Sequence, residues 1–142
     1  MSTLSNTATI STLLLTAALS FNASAADLTI KIPVLEEAKG KISMAVYDSE
    51  KNFSQTVLIG ATETAVKGEM LFSFSELPAG NYAVMVYQDL NDNGKLDSNL
   101  LGMPKEPWGA SLQGTRIFGA PKWADTQFKL PEEGTTITIN LH

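Results

Sequence analysis

The sequence predicts an all-β protein, an antiparallel β-sandwich of six to seven strands with one long Gly/Pro-rich loop. Apolar and polar residues alternate in several short segments, which is the pattern of strands buried on one face. No segment after residue 26 repeats apolar residues at helical spacing. Gly and Pro residues separate the alternating segments, as is typical of sandwiches built from short strands.

The predicted strands follow one another in chain order. Apolar residues take alternate positions in segments 28–32, 42–46, 70–74, 82–86, 128–130 and 137–141, and segment 57–59 is a candidate seventh strand. The strand at 82–86 is apolar on both faces, which predicts a central strand covered on both sides. Residues 49–55 have room for one helical turn and no more. The long stretch 89–125 shows no strand pattern and contains both Trp residues.

Residues 1–25 are predicted to be a cleaved signal peptide, and residues 26–142 a single β-sandwich domain. Residues 10–19 form an apolar run that is too short to cross a bilayer as a stable helix. The small residues at 23–25 (Ala-Ser-Ala) fit the signal-peptidase rule, and a cut after Ala26 fits nearly as well. A buried N-terminal helix is the alternative. These features predict a periplasmic or secreted protein with no transmembrane segment in the mature chain.

Composition excludes several classes of function. The 142 residues include 10 Lys+Arg, 15 Asp+Glu, no Cys and one His, His142. The net charge of −5 argues against a nucleic-acid partner, because phosphate binding needs a basic surface. Without Cys there is no disulfide framework, thiolate metal site or thiol nucleophile. No catalytic residues are assigned, and Asp97 with Glu106 is the only carboxylate pair that suggests acid–base work.

Segment 89–97 is the most specific motif in the chain. Its oxygen-bearing side chains recur at every second position and match positions 1, 3, 5 and 9 of an EF-hand loop. Gly94 permits a sharp reversal, and calcium prefers six to eight oxygen ligands. The sequence therefore predicts a calcium site whose candidate ligands are Asp89, Asn91, Asn93, the carbonyl of Lys95, and Asp97.

The match to a calcium loop is incomplete. The twelfth position, which carries a bidentate Glu in EF-hands, is Leu100, and no helices are predicted on either side. A carboxylate from elsewhere, Glu106 or Asp92, would have to replace it. Two other interpretations stay open at this point: a metal-free turn in which Asn and Asp side chains cap their own backbone, and a site for another cation such as magnesium.

A candidate ligand surface follows the acidic-amide loop. Aromatic side chains there suggest a stacking platform for a sugar or peptide, with charged neighbours for polar contacts. The residues are Glu106, Trp108, Arg116, Phe118 and Trp123. The alternative is that these aromatic residues close one end of the sandwich and that Arg116 and Glu106 form an internal salt bridge.

The sequence also resembles a known bacterial family. The resemblance is carried by Leu-Pro-Ala-Gly-Asn-Tyr-Ala-Val at 77–84, by the loop at 89–97, by Leu-Gly-Met-Pro-Lys-Glu at 101–106 with Gly109, and by segments 118–121 and 123–128. These motifs resemble the exported family known as domain of unknown function 2141, over essentially the whole mature chain. The pair Trp108-Gly109 departs from the family pattern, in which Gly is followed by an aromatic residue.

The resemblance implies a prealbumin-like (transthyretin-like) sandwich and a periplasmic or surface location. The turn at 77–82 is also similar to one in carboxypeptidase-regulatory-like modules. The resemblance implies no activity, since the family has none assigned, and fold-level analogy suggests only binding or structural roles.

Taken together, the sequence predicts an exported, non-enzymatic accessory or binding domain with a calcium-binding candidate loop. The alternatives are a small periplasmic hydrolase that uses Asp97 and Glu106, and an interaction module that adds a partner's strand to an exposed sheet edge. The partners considered are a small glycan, a peptide or another protein.

Overall fold

The computed structural model describes residues 25–114 and 119–142, and its fold is almost entirely β. Within these residues, eight strands rather than the predicted six to seven form two sheets, which confirms the predicted sandwich. The predicted signal peptide lies outside the described residues, except for Ala25. The strands are β1 (Ala25–Leu35), β2 (Lys41–Tyr47), β3 (Ile59–Thr64), β4 (Gly68–Pro78), β5 (Gly80–Asp89), β6 (Trp108–Ala110), β7 (Phe128–Leu130) and β8 (Thr135–Thr138).

The two sheets have three and five strands. The smaller has the order β4-β1-β8, and the larger has the order β3-β2-β5-β6 with β7 also paired to β5. Neighbouring strands are antiparallel, except for β1 and β8, which run parallel. The more specific prealbumin-like assignment stays a prediction.

The core lies between the sheets and is built from the alternating residues that the sequence singles out. Inward side chains of β1, β2, β4 and β5 are buried in one cluster, and burial of each large aliphatic side chain contributes about 1.5–3 kcal/mol. The most completely buried members are Leu28, Ile30, Ile32, Ile42, Val46, Val84 and Val86. In the described residues no helix is long and apolar enough to cross a membrane.

The strand β5, which was predicted at 82–86, is covered on both faces, as expected. Its outer face carries a second apolar cluster around Ala83, Tyr47 and Phe53. Phe53 makes edge-on ring contacts with Tyr47 at 5.3 Å and with Trp123 at 6.0 Å between ring centroids. Trp123 begins the four-residue helix α1 (Trp123–Thr126). The predicted helical turn is also confirmed, since Phe53 N donates to Ser49 O at 3.0 Å.

Two predicted strands are shifted along the chain, and one strand was not predicted. The candidate strand at 57–59 begins only at Ile59 and continues through polar residues to Thr64, because an edge strand needs little apolar surface. The last strand is Thr135–Thr138 rather than 137–141, although Ile139 is still fully buried. The stretch 89–125 contains the three-residue strand β6, which is too short to show an alternating pattern.

Candidate functional site: the 89–106 loop

The loop begins where β5 ends, at a buried carboxylate. Asp89 is 1% exposed, and its two oxygens accept backbone hydrogen bonds from the loop that follows. Oδ1 accepts from Asn93 N at 3.1 Å, and Oδ2 accepts from Gly94 N at 2.7 Å. The chain can turn back on itself here because Gly94 takes a φ of 76°. Asp89 therefore fixes the first half of the loop against the core.

The turn between β1 and β2 packs tightly against this start of the loop. Gly40 has a φ of 67°, and a β-carbon at this position would lie 1.8 Å from the carbonyl oxygen of Asp89. Next to it, the buried side chain of Gln88 donates to the carbonyls of Glu37 at 3.0 Å and Lys39 at 2.8 Å. Nothing in the sequence indicates that this turn holds the loop.

Two of the predicted ligand side chains donate hydrogen bonds to a third, Asp97. Its oxygens accept from Asn91 Nδ2 at 2.7 Å and from Asn93 Nδ2 at 3.0 and 3.1 Å. These bonds, with smaller contributions from Lys105 and Lys95, hold the pKa of Asp97 below its ordinary value. Asn93 Oδ1 in turn accepts from Lys95 N at 2.9 Å. The structure thus brings together the residues that the two-residue spacing selects.

Glu106 closes the base of the loop. It is 6% exposed, and its oxygens accept from Leu90 N at 2.8 Å and Asp97 N at 2.9 Å. One carboxylate therefore ties the first and the last part of the loop together. A backbone bond from Lys105 N to Asp97 O at 2.8 Å adds to this closure. The sequence suggests Glu106 as a spare ligand, an acid–base group or part of a ligand surface, but nothing in its spacing reveals two backbone partners.

Asp92, the other spare carboxylate, pairs with a lysine of the larger sheet. Its Oδ1 lies 2.7 Å from Lys41 Nζ on β2. This hydrogen bond and the attraction between the charges raise the pKa of Lys41 above its ordinary value. Asp92 therefore ties the loop to the larger sheet.

The segment after Asp97 is a tight turn with an apolar tip. Asn99 Oδ1 accepts from Leu101 N at 2.9 Å and Met103 N at 3.0 Å, so one side chain organises the turn. Leu100 is 106% exposed. The residue at the twelfth position of the loop therefore lies at the outside of the turn.

The predicted ligand surface is spread over several elements. Trp108 lies on β6 opposite Tyr87, whereas Trp123 lies on α1 against the cluster around Ala83. Tyr87 and Ala83 are four residues apart on β5, which corresponds to about 13 Å. Glu106 uses both carboxylate oxygens to bond the backbone at the base of the loop. Arg116 and Phe118 lie outside the described residues.

The side chains of the loop that could coordinate a metal ion carry few negative charges. In the described part of the chain, no group of three or more His, Cys, Asp or Glu side chains is arranged to hold a metal ion. The converging set instead combines two carboxylates, Asp89 and Asp97, with two carboxamides, Asn91 and Asn93. Such a set supplies oxygen atoms of the kind that calcium prefers, with few negative charges.

A comparison with protein-family models finds one family. The model described as "Uncharacterized protein conserved in bacteria (DUF2141)" matches residues 30–138, which cover most of the chain and include the whole of the 89–106 loop. Searches of curated proteins and of solved structures find no significant match. The matched region extends from β1 to β8, and on this ground the chain belongs to the DUF2141 family of bacterial proteins.

Proposed function

We propose that this protein is an exported, non-enzymatic binding domain whose 89–97 loop binds calcium. The observation that carries the proposal is the convergence of Asn91 and Asn93 on Asp97, next to the buried carboxylate of Asp89. The loop is anchored at its start and at its base, so binding an ion would need little further ordering. A preordered site binds more tightly than a flexible one with the same ligands.

The hydrogen bonds of the loop are compatible with an ion. Two amide groups donate to Asp97, which indicates that this position favours positive charge. The carboxamide oxygens of Asn91 and Asn93 each accept one backbone N–H group, from Asn93 N at 3.2 Å and from Lys95 N at 2.9 Å, and each keeps a second lone pair for a cation. The carboxylate of Asp89 keeps free lone pairs beyond those used by Asn93 N and Gly94 N. These groups, with the carbonyl of Lys95, would form the coordination shell.

The small number of charges predicts weak binding that suits an external location. Calcium modules outside the cell bind at roughly 10⁻⁴–10⁻³ M, in keeping with their low charge count. Inside a cell, where free calcium is scarce, a site of this strength would stay empty. The proposed affinity and the proposed export therefore support each other.

The calcium proposal is tested by thermal unfolding in about 1–5 mM calcium and again in excess chelator. At about ten to a hundred times the dissociation constant, the ion adds about 1.4–2.7 kcal/mol to stability. For a domain of this size the midpoint should rise by about 5–12 °C. Asp89→Ala should abolish the shift, whereas Asp27→Ala, which removes an exposed carboxylate on β1, should leave it intact. No shift, with Asp89→Ala still destabilising, would leave a self-capped turn instead.

Export predicts a mature chain that begins at Ala26. Ala26 is 1% exposed and pairs with Leu77, whereas Ala25 is exposed. A cut after Ala25 leaves this buried contact in place, and a cut after Ala26 would remove it. N-terminal sequencing of the protein recovered from the periplasm or medium checks this. Recovery of the uncleaved chain from the cytoplasm would contradict the proposal.

The hydrolase alternative receives less support from the geometry. A general acid or base needs an oxygen that faces a substrate, but both oxygens of Glu106 hold backbone N–H groups. Asp97 is likewise engaged by Asn91 and Asn93. These contacts suit carboxylates that stabilise a loop.

Strand addition is favoured by one observation. Among the strands that the structure describes, β3 pairs with β2 alone, over residues 59–64 and without a register shift. Its residues include no Lys or Pro of the kind that usually protects an edge from pairing. Strand addition at β3 is therefore the second candidate function.

A further inference from the structure

The outer face of the larger sheet contains a trough that lies beside the 89–97 loop. The cavity has a volume of about 580 Å³ and lies over β2, β3 and the end of β5. The side chains of Ser43 and Ala45 and the backbone of Gly60 form its floor. The loop rises at one end, and Tyr47 lies at the other.

The outer face of the sheet is depressed here because the residues that pair across the floor of the trough are small. Ala45 is opposite Gly60 on β3, and Ser43 is opposite Thr62. On the other side, Ser43 is opposite Tyr87 of β5. Small residues at neighbouring positions on two strands therefore leave a depression, with an aromatic ring along one side.

The trough offers hydroxyl groups and an aromatic ring as its recognition groups. Ser43 Oγ and Thr62 Oγ1 lie 3.2 Å apart, and both face outward. Tyr87 is half-buried, so part of its ring is available to a ligand. Aromatic rings pack on the apolar C–H faces of sugar rings, while hydroxyls exchange hydrogen bonds with sugar hydroxyls.

Two of the three charged side chains that line the trough neutralise each other. Lys41 and Asp92 both line the cavity and form an ion pair at 2.7 Å. The buried carboxylate of Asp89 is held by two backbone N–H groups. The charge that remains is the negative one of Asp89, which favours a neutral polar molecule over a phosphate or an acidic polymer.

The backbone of the floor is already occupied. In the middle of a sheet, the N–H and C=O groups of β2 pair with β3 on one side and β5 on the other. An extended peptide lying in the trough would find no main-chain partners, whereas strand addition depends on such partners. Recognition must come from side chains alone, and this favours a ligand with many hydroxyls of its own.

We propose that this trough binds a short neutral oligosaccharide, with one sugar ring against Tyr87 and its hydroxyls bonded to Ser43 and Thr62. The volume falls within the range of small-molecule sites. This inference goes beyond the calcium proposal, because none of these three groups belongs to the ion's ligand set.

The test is calorimetric titration of the purified protein with three neutral trisaccharides: cellotriose, maltotriose and N,N′,N″-triacetylchitotriose. At least one is expected to bind saturably, with a Kd of about 1 mM or tighter. Each titration is run in calcium and in chelator, so a failure of the sugar proposal is separated from a failure of the ion proposal. If none of the three binds up to about 10 mM, or if only an anionic oligosaccharide or a peptide binds, the proposal is wrong.

Variants then locate the binding. Tyr87→Ala should weaken it at least about tenfold, and Tyr87→Phe, which keeps the ring, should stay within about threefold. Ala45→Leu should block the floor. Thr62→Val should weaken binding, while the matched change Thr136→Val, on an exposed position of the other sheet, should have no effect. Binding that is unchanged in Tyr87→Ala and Ala45→Leu would refute this site, and circular dichroism confirms that each variant is folded.

Discussion

Replacing Gly40 with Ala is expected to destabilise the protein by at least about 3–4 kcal/mol, which puts it among the larger effects of single substitutions. The added β-carbon would lie 1.8 Å from the carbonyl oxygen of Asp89 and 2.8 Å from its carbonyl carbon. Both are backbone atoms at the end of a central strand, so neither can move away without disturbing β5 or the loop. Chemical denaturation of the variant measures the loss directly.

Gly94→Ala is the matched control for this prediction. Gly94 has a φ of 76°, close to the 67° of Gly40, but a β-carbon there would meet nothing within 4 Å. Its cost should be limited to backbone strain of about 1–2 kcal/mol. Equal losses in the two variants would show that conformation matters and the contact with Asp89 does not.

Replacing Glu106 with Ala is expected to cost about 2–4 kcal/mol. The change removes two hydrogen bonds to a charged acceptor and leaves the N–H groups of Leu90 and Asp97 without that partner. Glu106→Gln should lose less, because its single carboxamide oxygen can still accept one of the two bonds. Equilibrium unfolding in urea gives both values.

The exposed residue Glu132 supplies the control for Glu106. Glu132→Ala removes a carboxylate of the same type from a turn and should change stability by less than about 0.5 kcal/mol. If Glu106→Ala loses no more stability than this control, Glu106 does not hold the two parts of the loop together. Loss of a hydrolytic activity in Glu106→Gln at unchanged stability would favour the enzyme alternative instead.

The strands were predictable wherever one face is apolar and the segment is long enough to show it. In β1, β2, β4 and β5 the alternation follows directly from one buried face, since a strand turns every second side chain inward. The strand β6 gives no such signal. It has three residues, and Gly109 lies in the middle because a β-carbon there would approach Asn140 O to 2.3 Å.

The candidate site was predictable in its local part only. Asp89, Asn91, Asn93 and Asp97 converge because they are close in sequence and a loop turns alternate residues to one side. Contacts between residues that are far apart in the sequence left no recognisable sequence pattern. The bonds from Leu90 N and Asp97 N to Glu106, and the contact of Gly40 with Asp89, depend on how two sheets and a turn meet in space.

The aromatic residues show the same limit. Trp108 and Trp123 are close enough in sequence to suggest a common surface. In the structure, however, Trp108 lies beside Tyr87 and Trp123 lies against the cluster around Ala83. Tyr87, which the sequence marks only as part of an apolar strand, faces the trough instead.

The most direct test of the proposed calcium site is a calcium titration of the ¹⁵N-labelled protein followed by amide NMR. Asn93 and Gly94 donate their N–H groups to Asp89, so their signals report on the proposed ligand. If the loop binds calcium, both signals shift saturably with calcium, together with the carboxamide signals of Asn91 and Asn93, and Asp89→Ala abolishes the effect. Unchanged Asn93 and Gly94 signals at millimolar calcium would contradict the calcium site and leave the loop as a self-capped structural element.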